Sequence, residues 1–339
     1  MSENTWLIYA LGGGWGHLTR ALALGRIAAQ RRPVRILTNS PYLAHIPRAL
    51  IPANCQINAI HPQESLAVAC QYVQDALGRA DYGCLIVDTF PRGLAGELAT
   101  ILPKLPACLP RILIHRDLKP EYVQAKAIAS FVAAHYHTVL VPGEGDRVPL
   151  AHLPIVEHTD CWLIRSANEL PDWSVARSLL RLSPTTPTVI VCAAGQPSEL
   201  NWFGGLTHQL AQALPMASIR CLTPLCPPTC PPELWGYHYP GIDCLQVADV
   251  VVSGAGYNTV AECAALNVPL VTFALKRLYD RQAQRAQRTS YPVDHATAAI
   301  ALIRKLLSRS NSDSRRTKPT YSNGATQAVD RIEHLMGSG

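Results

Sequence analysis

DVVVSGAGYNTVAE, residues 249–262, carries an apolar run, a glycine turn and a helix start in immediate succession. Val250, Val251 and Val252 form the unbroken β-branched run expected of a strand buried on both faces. Gly254 and Gly256 free the backbone to turn, and Tyr257, Asn258 and Thr259 open a helix that reaches Glu262. A strand entering a helix through such a turn is the building unit of a parallel, doubly wound sheet. Its carboxyl end gathers unpaired amides at the positive end of a helix dipole, so the backbone from Gly256 to Thr259 suits a pyrophosphate. Glu262 follows about one turn into the helix, where a carboxylate can accept both hydrogen bonds of a ribose diol. Without such a partner a buried lone carboxylate is costly.

The pattern extends on both sides. PLVTF (269–273) reads as the next strand, and Asp280-Arg281-Gln282 follows it. Asp280 and Gln282 together suit the several hydroxyls of a sugar. Upstream, TVIVCAAG (188–195) is a strand running into Gly195-Gln196, a further turn at the same sheet edge, and ASIRCL (217–222) is another strand. CLTPLCPPTCPPELWG (221–236) is too rich in proline for regular structure and reads as a loop. Arg165, near the expected domain junction, is a candidate phosphate clamp.

The first half repeats the design. TWLIYA (5–10), VRILT (34–38), CLIVD (84–88), RILIH (111–115) and TVLVP (138–142) read as strands, with helical patterns at 18–30, 93–102 and 121–134 between them. The first strand runs into Leu11-Gly12-Gly13-Gly14-Trp15-Gly16-His17. No Gly-Lys-Ser/Thr follows, so this is not a P-loop; the sixth position from Gly12 is His17, so it is not G-x-G-x-x-G. No acid stands about twenty residues on to hold an NAD ribose. His17 falls at the first helical turn on the carboxyl edge of the sheet. It is the first candidate for a general base, and Asp88, at the end of its strand, is the second. Trp15 reads either as a stacking surface for a sugar or as local packing.

The 339 residues are 48% hydrophobic and 16% charged, which suits two α/β domains better than one and excludes extensive disorder. The net charge of +6 is uneven: residues 4–63 contain no Asp or Glu, yet hold Arg20, Arg26, Arg31, Arg32, Arg35 and Arg48. That points to a phosphorylated substrate or an anionic membrane surface; charge kept for solubility alone is the other reading. There is no aromatic and basic interleaving of the RNA-binding kind, so nucleic acid is not an expected partner. The eleven cysteines are unpatterned and MSENTWLIYA has no secretory character, so reduced thiols in a cytoplasmic protein are expected. Cys226 and Cys230 lack a second ligand pair, and no metal site is expected. No apolar stretch reaches the length of a membrane span, so membrane contact, at the inner face, would be peripheral. Residues 308–324 read as a polar surface or flexible segment, and 325–336 as a final helix.

The segment 249–286 resembles the donor-binding region of GT-B glycosyltransferases, in particular the peptidoglycan N-acetylglucosaminyltransferase that builds lipid II. Ala255 to Glu262 matches that family's Ser/Ala-Gly-x-x-Thr-Val-x-Glu run, Asp280-Arg281-Gln282 its Asp-x-Gln motif, and the glycine loop ending in His17 its N-terminal loop. His115 falls where the family has a His-led acceptor-side motif. The resemblance implies two Rossmann-like domains facing a central cleft: an acceptor-side domain at 1–160, a nucleotide-sugar domain at 161–324, and a C-terminal helix at 325–339 packing back on the first. It implies donor contacts from Arg165, Gly195, Gln196, Gly254, Gly256, Tyr257, Asn258, Thr259, Glu262, Asp280 and Gln282. Gly13, Gly14, Trp15, Gly16 and His115 then face the acceptor. The departures are Trp15, where the family prefers a small residue; Ala193-Ala194-Gly195-Gln196-Pro197, in place of a Gly-Gly-Ser-Gln-Gly turn; and His115-Arg116-Asp117-Leu118. The acceptor side differs most, so a related transferase with another acceptor is expected.

The activity so implied is transfer of a sugar from a nucleoside diphosphate, UDP by resemblance, to an acceptor hydroxyl, with inversion. The acceptor is expected to be phosphorylated or lipid-linked. No Asp-x-Asp occurs, so a metal-independent reaction without cofactor is expected, the nucleotide-sugar being a co-substrate. Two rivals share the architecture: a nucleotide-sugar 2-epimerase, and a catalytically inactive nucleotide-sugar-binding regulator, to which Trp15 and Ala193-Ala194 would belong.

Overall fold

Residues 4–79, 81–309 and 318–337 are described by a computed structural model. The stretch 310–317 of the polar segment lies outside them. The chain divides into two units, residues 1–164 with 323–339, and residues 165–322.

The first unit holds a sheet of β1 (Trp6–Tyr9), β2 (Val34–Thr38), β3 (Cys55–Ala59), β4 (Cys84–Asp88), β5 (Arg111–Ile114), β6 (Thr138–Pro142) and β7 (Val156–Thr159). All its pairings are parallel, in the order β3-β2-β1-β4-β5-β6-β7. The second unit holds β8 (Thr188–Cys192), β9 (Ser218–Leu222), β10 (Trp235–Gly236), β11 (Val250–Gly254), β12 (Leu270–Phe273) and β13 (Tyr291–Pro292). These too are all parallel, in the order β10-β9-β8-β11-β12-β13. Both sheets reverse direction of winding at their centre, between β1 and β4 and between β8 and β11. Connections leave such a point toward opposite faces, so a crevice opens beyond the strand ends.

Burial follows the apolar runs. Trp6 to Tyr9, Cys84 to Val87 and Val250 to Val252 are all fully or almost fully buried. In the second unit Phe203, Leu206 and Leu210, on the helix Pro197–Ala213, pack onto Val189, Val191, Val250, Val252 and Val271. Each such side chain contributes about 1.5–3 kcal/mol by leaving water. In the first unit the helix Gly324–Gly337 is anchored at its start: the Gly324 amide donates to Cys161 O at 3.0 Å, and Asn323 bonds both the amide (3.1 Å) and the carbonyl (2.8 Å) of Leu163.

Several elements differ from the sequence expectation. β3, CQINA, is half-exposed and polar, and β7, VEHT, is short and polar; both are edge strands without an apolar run. The helix expected at 121–134 is two, Pro120–Ala125 and Ile128–His135, broken where Ala127 takes φ +47°. The proline-rich stretch is irregular only in its middle, since Cys221–Leu222 close β9 and Trp235–Gly236 form β10. Among the described residues no helix is long and apolar enough to cross a membrane.

Candidate functional site

The first switch point assembles His17 and Asp88. Tyr9 of β1 lies beside Val87 of β4, so the loop leaving β1 and the last residue of β4 share one edge. The helix Trp15–Ala28 carries His17 in its first turn, and His17 Nδ1 lies 2.6 Å from Asp88 Oδ2. Arg20, one turn further along the same face, donates from Nε to Asp88 Oδ1 at 3.0 Å and from an Nη to Oδ2 at 2.8 Å. Arg20 and Asp88 are both buried, while 15% of the His17 side chain is exposed.

The glycines explain the closeness. A Cβ on Gly12 would stand 2.2 Å from His17 Cδ2 and 2.5 Å from Nε2, so only glycine leaves the imidazole its place. The Gly12 amide donates to Asn39 Oδ1 at 2.8 Å, which fixes the loop. Nothing stands within 4 Å of a Cβ on Gly13 or Gly14, and a Cβ on Gly16 would stand 3.4 Å from Arg20 Nη1. Trp15 stacks on Tyr42, with ring centroids 4.8 Å apart and planes 12° from parallel. His17 itself stacks on Phe90 at 5.5 Å.

Burial lowers the pKa of His17 below its usual value, opposed by the Asp88 carboxylate and helped by Arg20 and Arg116. Burial alone would raise that of Asp88, but Arg20 and His17 outweigh it and hold the carboxyl well below the usual range. An ionised Asp88 takes the Nδ1 proton of His17 as its hydrogen bond, which leaves a lone pair on Nε2. Asp88, the second candidate for a base, is thus fully buried with both carboxylate oxygens bonded to His17 and Arg20.

His115, expected on the acceptor side, follows β5 with no exposed surface, and the Leu150 amide donates to its Nε2 at 3.4 Å.

The second switch point gathers several of the residues expected on the donor side. β11 ends at Gly254, and Gly256 precedes the helix Tyr257–Ala265, whose start no N-cap side chain closes. The space beyond the Gly256 Cα is open to 4 Å. Asn258 Oδ1 is buried and has no hydrogen-bond partner among the described residues. Thr259 interacts through its hydroxyl with Cys192, the last residue of β8. Glu262 is 8% exposed, and among the described residues none bonds its carboxyl. Burial pushes the Glu262 carboxyl up to about 8, and the negative charge of Asp243 adds to the effect.

Asp243 is itself buried and is held from two sides. Arg165 donates to both its oxygens, from Nε at 3.1 Å and from Nη2 at 3.0 Å, and His238 Nε2 lies 3.1 Å from Oδ2. These contacts outweigh burial and keep Asp243 below the usual carboxylate range. Arg165, expected as a phosphate clamp, is thus bound through two nitrogens to a carboxylate that the sequence did not single out.

Asp280 and Gln282 are brought to the Gly254–Gly256 turn. Arg285 donates to both oxygens of Asp280, at 3.2 and 2.8 Å, and to Ala255 O at 3.1 Å. Gln282 is buried, its Oε1 accepting from the Leu275 amide at 3.2 Å. Gly195 and Gln196 precede the helix Pro197–Ala213, where Gln196 and Glu199 form a reciprocal capping box. Arg277 closes onto Glu199 through both guanidinium ends, one at 2.9 Å.

Arg20, His238, Asp243, Glu199, Arg277 and Arg285 were not singled out from the sequence. Arg20 alone left a trace, its spacing of three from His17 on a helix; the others lie on separate helices and loops, far apart in the chain, that only the fold brings together.

No family model matches the chain, and no curated protein does. Solved structures do. The calicheamicin glycosyltransferase CalG4 is 17% identical, with TM-score 0.64 over 100% of this chain and 99% of its own. MurG of Acinetobacter baumannii is 15% identical, with TM-score 0.58 over 98% and 99%. A UDP-glucosyltransferase of Polygonum tinctorium capable of glucosylating indoxyl is 12% identical, with TM-score 0.63 over 99% of each chain. With two parallel sheets of matching strand order and full-length correspondence, the chain has the GT-B glycosyltransferase fold.

Proposed function

We propose that the protein is a glycosyltransferase that moves a sugar from a nucleoside-diphosphate donor to an acceptor hydroxyl. The observation that carries this reading is Glu262, a buried carboxyl that no described residue hydrogen-bonds, one turn behind an uncapped helix start at the switch point of the second sheet. Folding gains nothing from a carboxyl in that position. A ribose diol supplies the two donors it lacks, and the first-turn amides and helix dipole suit the adjoining diphosphate. The likeness of 255–262 to the family motif favours UDP, and the named activities of the structural neighbours support sugar transfer.

In this reading the acceptor oxygen attacks the anomeric carbon while the bond from that carbon to the diphosphate oxygen breaks. His17 Nε2 takes the acceptor proton, and the adjacent Asp88 carboxylate stabilises the imidazolium that forms. The bonding electrons leave on the diphosphate, whose charge the amides from Gly256 to Thr259 meet without a metal or cofactor. Attack opposite the leaving group inverts the anomeric centre. Asp280 and Gln282, beside the glycine turn, are assigned to the donor sugar. The acid-free, arginine-bearing stretch 4–63 favours a phosphorylated or lipid-linked acceptor met by a cytoplasmic protein at a membrane face.

A thermal-shift panel of nucleoside diphosphates and nucleotide-sugars tests the donor assignment. Ligand at a hundred times its Kd stabilises by about 2.7 kcal/mol. One nucleotide class is expected to stabilise wild type and His17→Ala but not Glu262→Ala. Slow donor hydrolysis is expected of wild type and not of His17→Ala. A panel without any stabilising nucleotide refutes the reading; tight binding with no turnover by wild type turns it into that of a regulatory protein.

A further inference from the structure

Arg165, Arg277 and Arg285 each pair with a carboxylate around the glycine turn of the second unit, and two of these pairs have a member that is almost fully buried. Arg285 is 3% exposed and bridges Asp280 to Ala255 O. Arg165 is bound through two nitrogens to the buried Asp243. Arg277 differs. Its side chain is 28% exposed and its partner, Glu199, is 17% exposed. A partly solvated ion pair loses less on being broken than one with a deeply buried member, so its cation is the more readily exchanged.

The pair also lies in a telling place. Glu199 belongs to the first turn of the helix leaving β8, and Arg277 to the loop leaving β12. β8 and β12 flank β11 on either side, so Glu199–Arg277 ties together the two loops that border the Gly254–Gly256 turn. Leu275 of the same loop lies against that turn, its Cδ1 3.0 Å from where a Cβ on Gly254 would stand. On the other side, a Cβ on Gly195 would meet Glu199 Oε2 at 2.1 Å and Arg277 Nη2 at 3.5 Å. Beside a turn suited to an anion, the pair brings one acidic and one basic group.

We propose that Arg277 binds the diphosphate of the donor, exchanging the Glu199 carboxylate for phosphate oxygens. The inference rests on the donor reading above and deepens it. A planar guanidinium matches two phosphate oxygens as well as it matches a carboxylate, and the phosphates carry more charge. Glu199 then acts as a competitor: it holds Arg277 in place and lowers the affinity for the diphosphate, while a nucleoside lacking phosphates does not call on Arg277 and is unaffected. Arg277 gives the site a preference for the diphosphate beyond what helix amides supply, and Glu199 tempers it.

Two substitutions test it, because they are expected to move affinity in opposite directions. Glu199→Gln keeps the capping box, which glutamine also forms, but removes the competing charge. Arg277→Met keeps the length of the side chain without its charge. The probes are the nucleoside diphosphate that stabilises wild type in the panel above, by calorimetry, and its parent nucleoside, by ligand-observed NMR. Arg277→Met is expected to weaken the diphosphate at least tenfold and to flatten its salt dependence. Glu199→Gln is expected to tighten it severalfold. The nucleoside is expected to bind all three proteins alike. Wild-type diphosphate affinity in Arg277→Met, or a weakening by Glu199→Gln that equals that of Arg277→Met, overturns the inference and reduces the pair to a structural strut. If wild type binds no nucleoside diphosphate, the donor reading fails first, and the two failures are told apart by that control.

Discussion

Glu262→Gln is expected to stabilise the protein and to disable its donor site. The carboxyl is buried and rises from 4.5 to about 8 in the folded chain. Between those values the unfolded chain has lost the proton and the folded chain keeps it. Stability therefore falls as pH rises from about 4.5 to about 8, and is level outside that window. At 1.36 kcal/mol for each tenfold change in ionisation constant, the full penalty is at most roughly 5 kcal/mol above pH 8, and roughly 3 kcal/mol at pH 7. Glutamine has the same shape and no charge to bury, so it removes the penalty where it exists and changes little at pH 4.5. Denaturant unfolding of the two proteins at pH 4.5 and pH 8.5 reads this directly: the curves nearly coincide at the lower pH and separate at the higher one, with the variant more stable. In the same samples nucleotide binding weakens, since glutamine accepts through one oxygen where a carboxylate accepts through two. A variant no more stable than wild type at pH 8.5 refutes the account of Glu262 as a strained group. A variant that binds nucleotide normally refutes its assignment to the ribose.

Asp88→Asn leaves Arg20 buried without its counter-charge, a loss of about 3–5 kcal/mol in unfolding free energy; it also removes what holds the His17 pKa up, so the rise of rate with pH moves to lower pH while the plateau falls on the order of 10²-fold or more. A plateau at the wild-type level would show that the pair does not serve proton transfer. Gly12→Ala places a methyl 2.2 Å from His17 Cδ2, and His17 cannot yield without leaving Asp88; expected are a fold that melts within about 1–3 kcal/mol of wild type and a large loss of turnover with donor binding kept. Gly324→Ala puts its Cβ 1.9 Å from Asp160 O, a backbone atom, so the terminal helix must shift; unfolding free energy is expected to drop by about 3 kcal/mol, and an unchanged Tm would mean that this anchor is dispensable.

The strands legible in the sequence are those at the centre of each sheet. β1, β4, β5, β8, β11 and β12 are buried, and burial on both faces demands the continuous apolar runs that reading a sequence detects. β3, β7, β10 and β13 lie toward or at the sheet edges, where one side of the ladder is free and polar residues are tolerated. Cys55-Gln56-Ile57-Asn58-Ala59 is a strand because β2 offers it a partner, and no local preference announces that. The same holds for Trp235-Gly236, which pairs with β9 at the end of a stretch whose prolines argue for a loop.

The candidate site divides along a similar line. The placement of His17, the Gly254–Gly256 turn and Glu262 at strand ends is legible because strand-turn-helix geometry is local: the strand sets the edge, the glycines make the turn, and the helix start fixes the next side chains. The electrostatics were not legible, because they are set by pairs far apart in the chain. Arg165 looks like a phosphate clamp until Asp243 is found beside it, and Arg277 looks like a surface residue until Glu199 is. An isolated charge in a sequence states what a residue can bind; only the fold states what it already binds. Under the proposal above, that second fact reverses the order of the candidates: the arginine held by a deeply buried carboxylate is expected to be the worse phosphate ligand, and the one held by a partly exposed carboxylate the better, because exchange there costs the protein less.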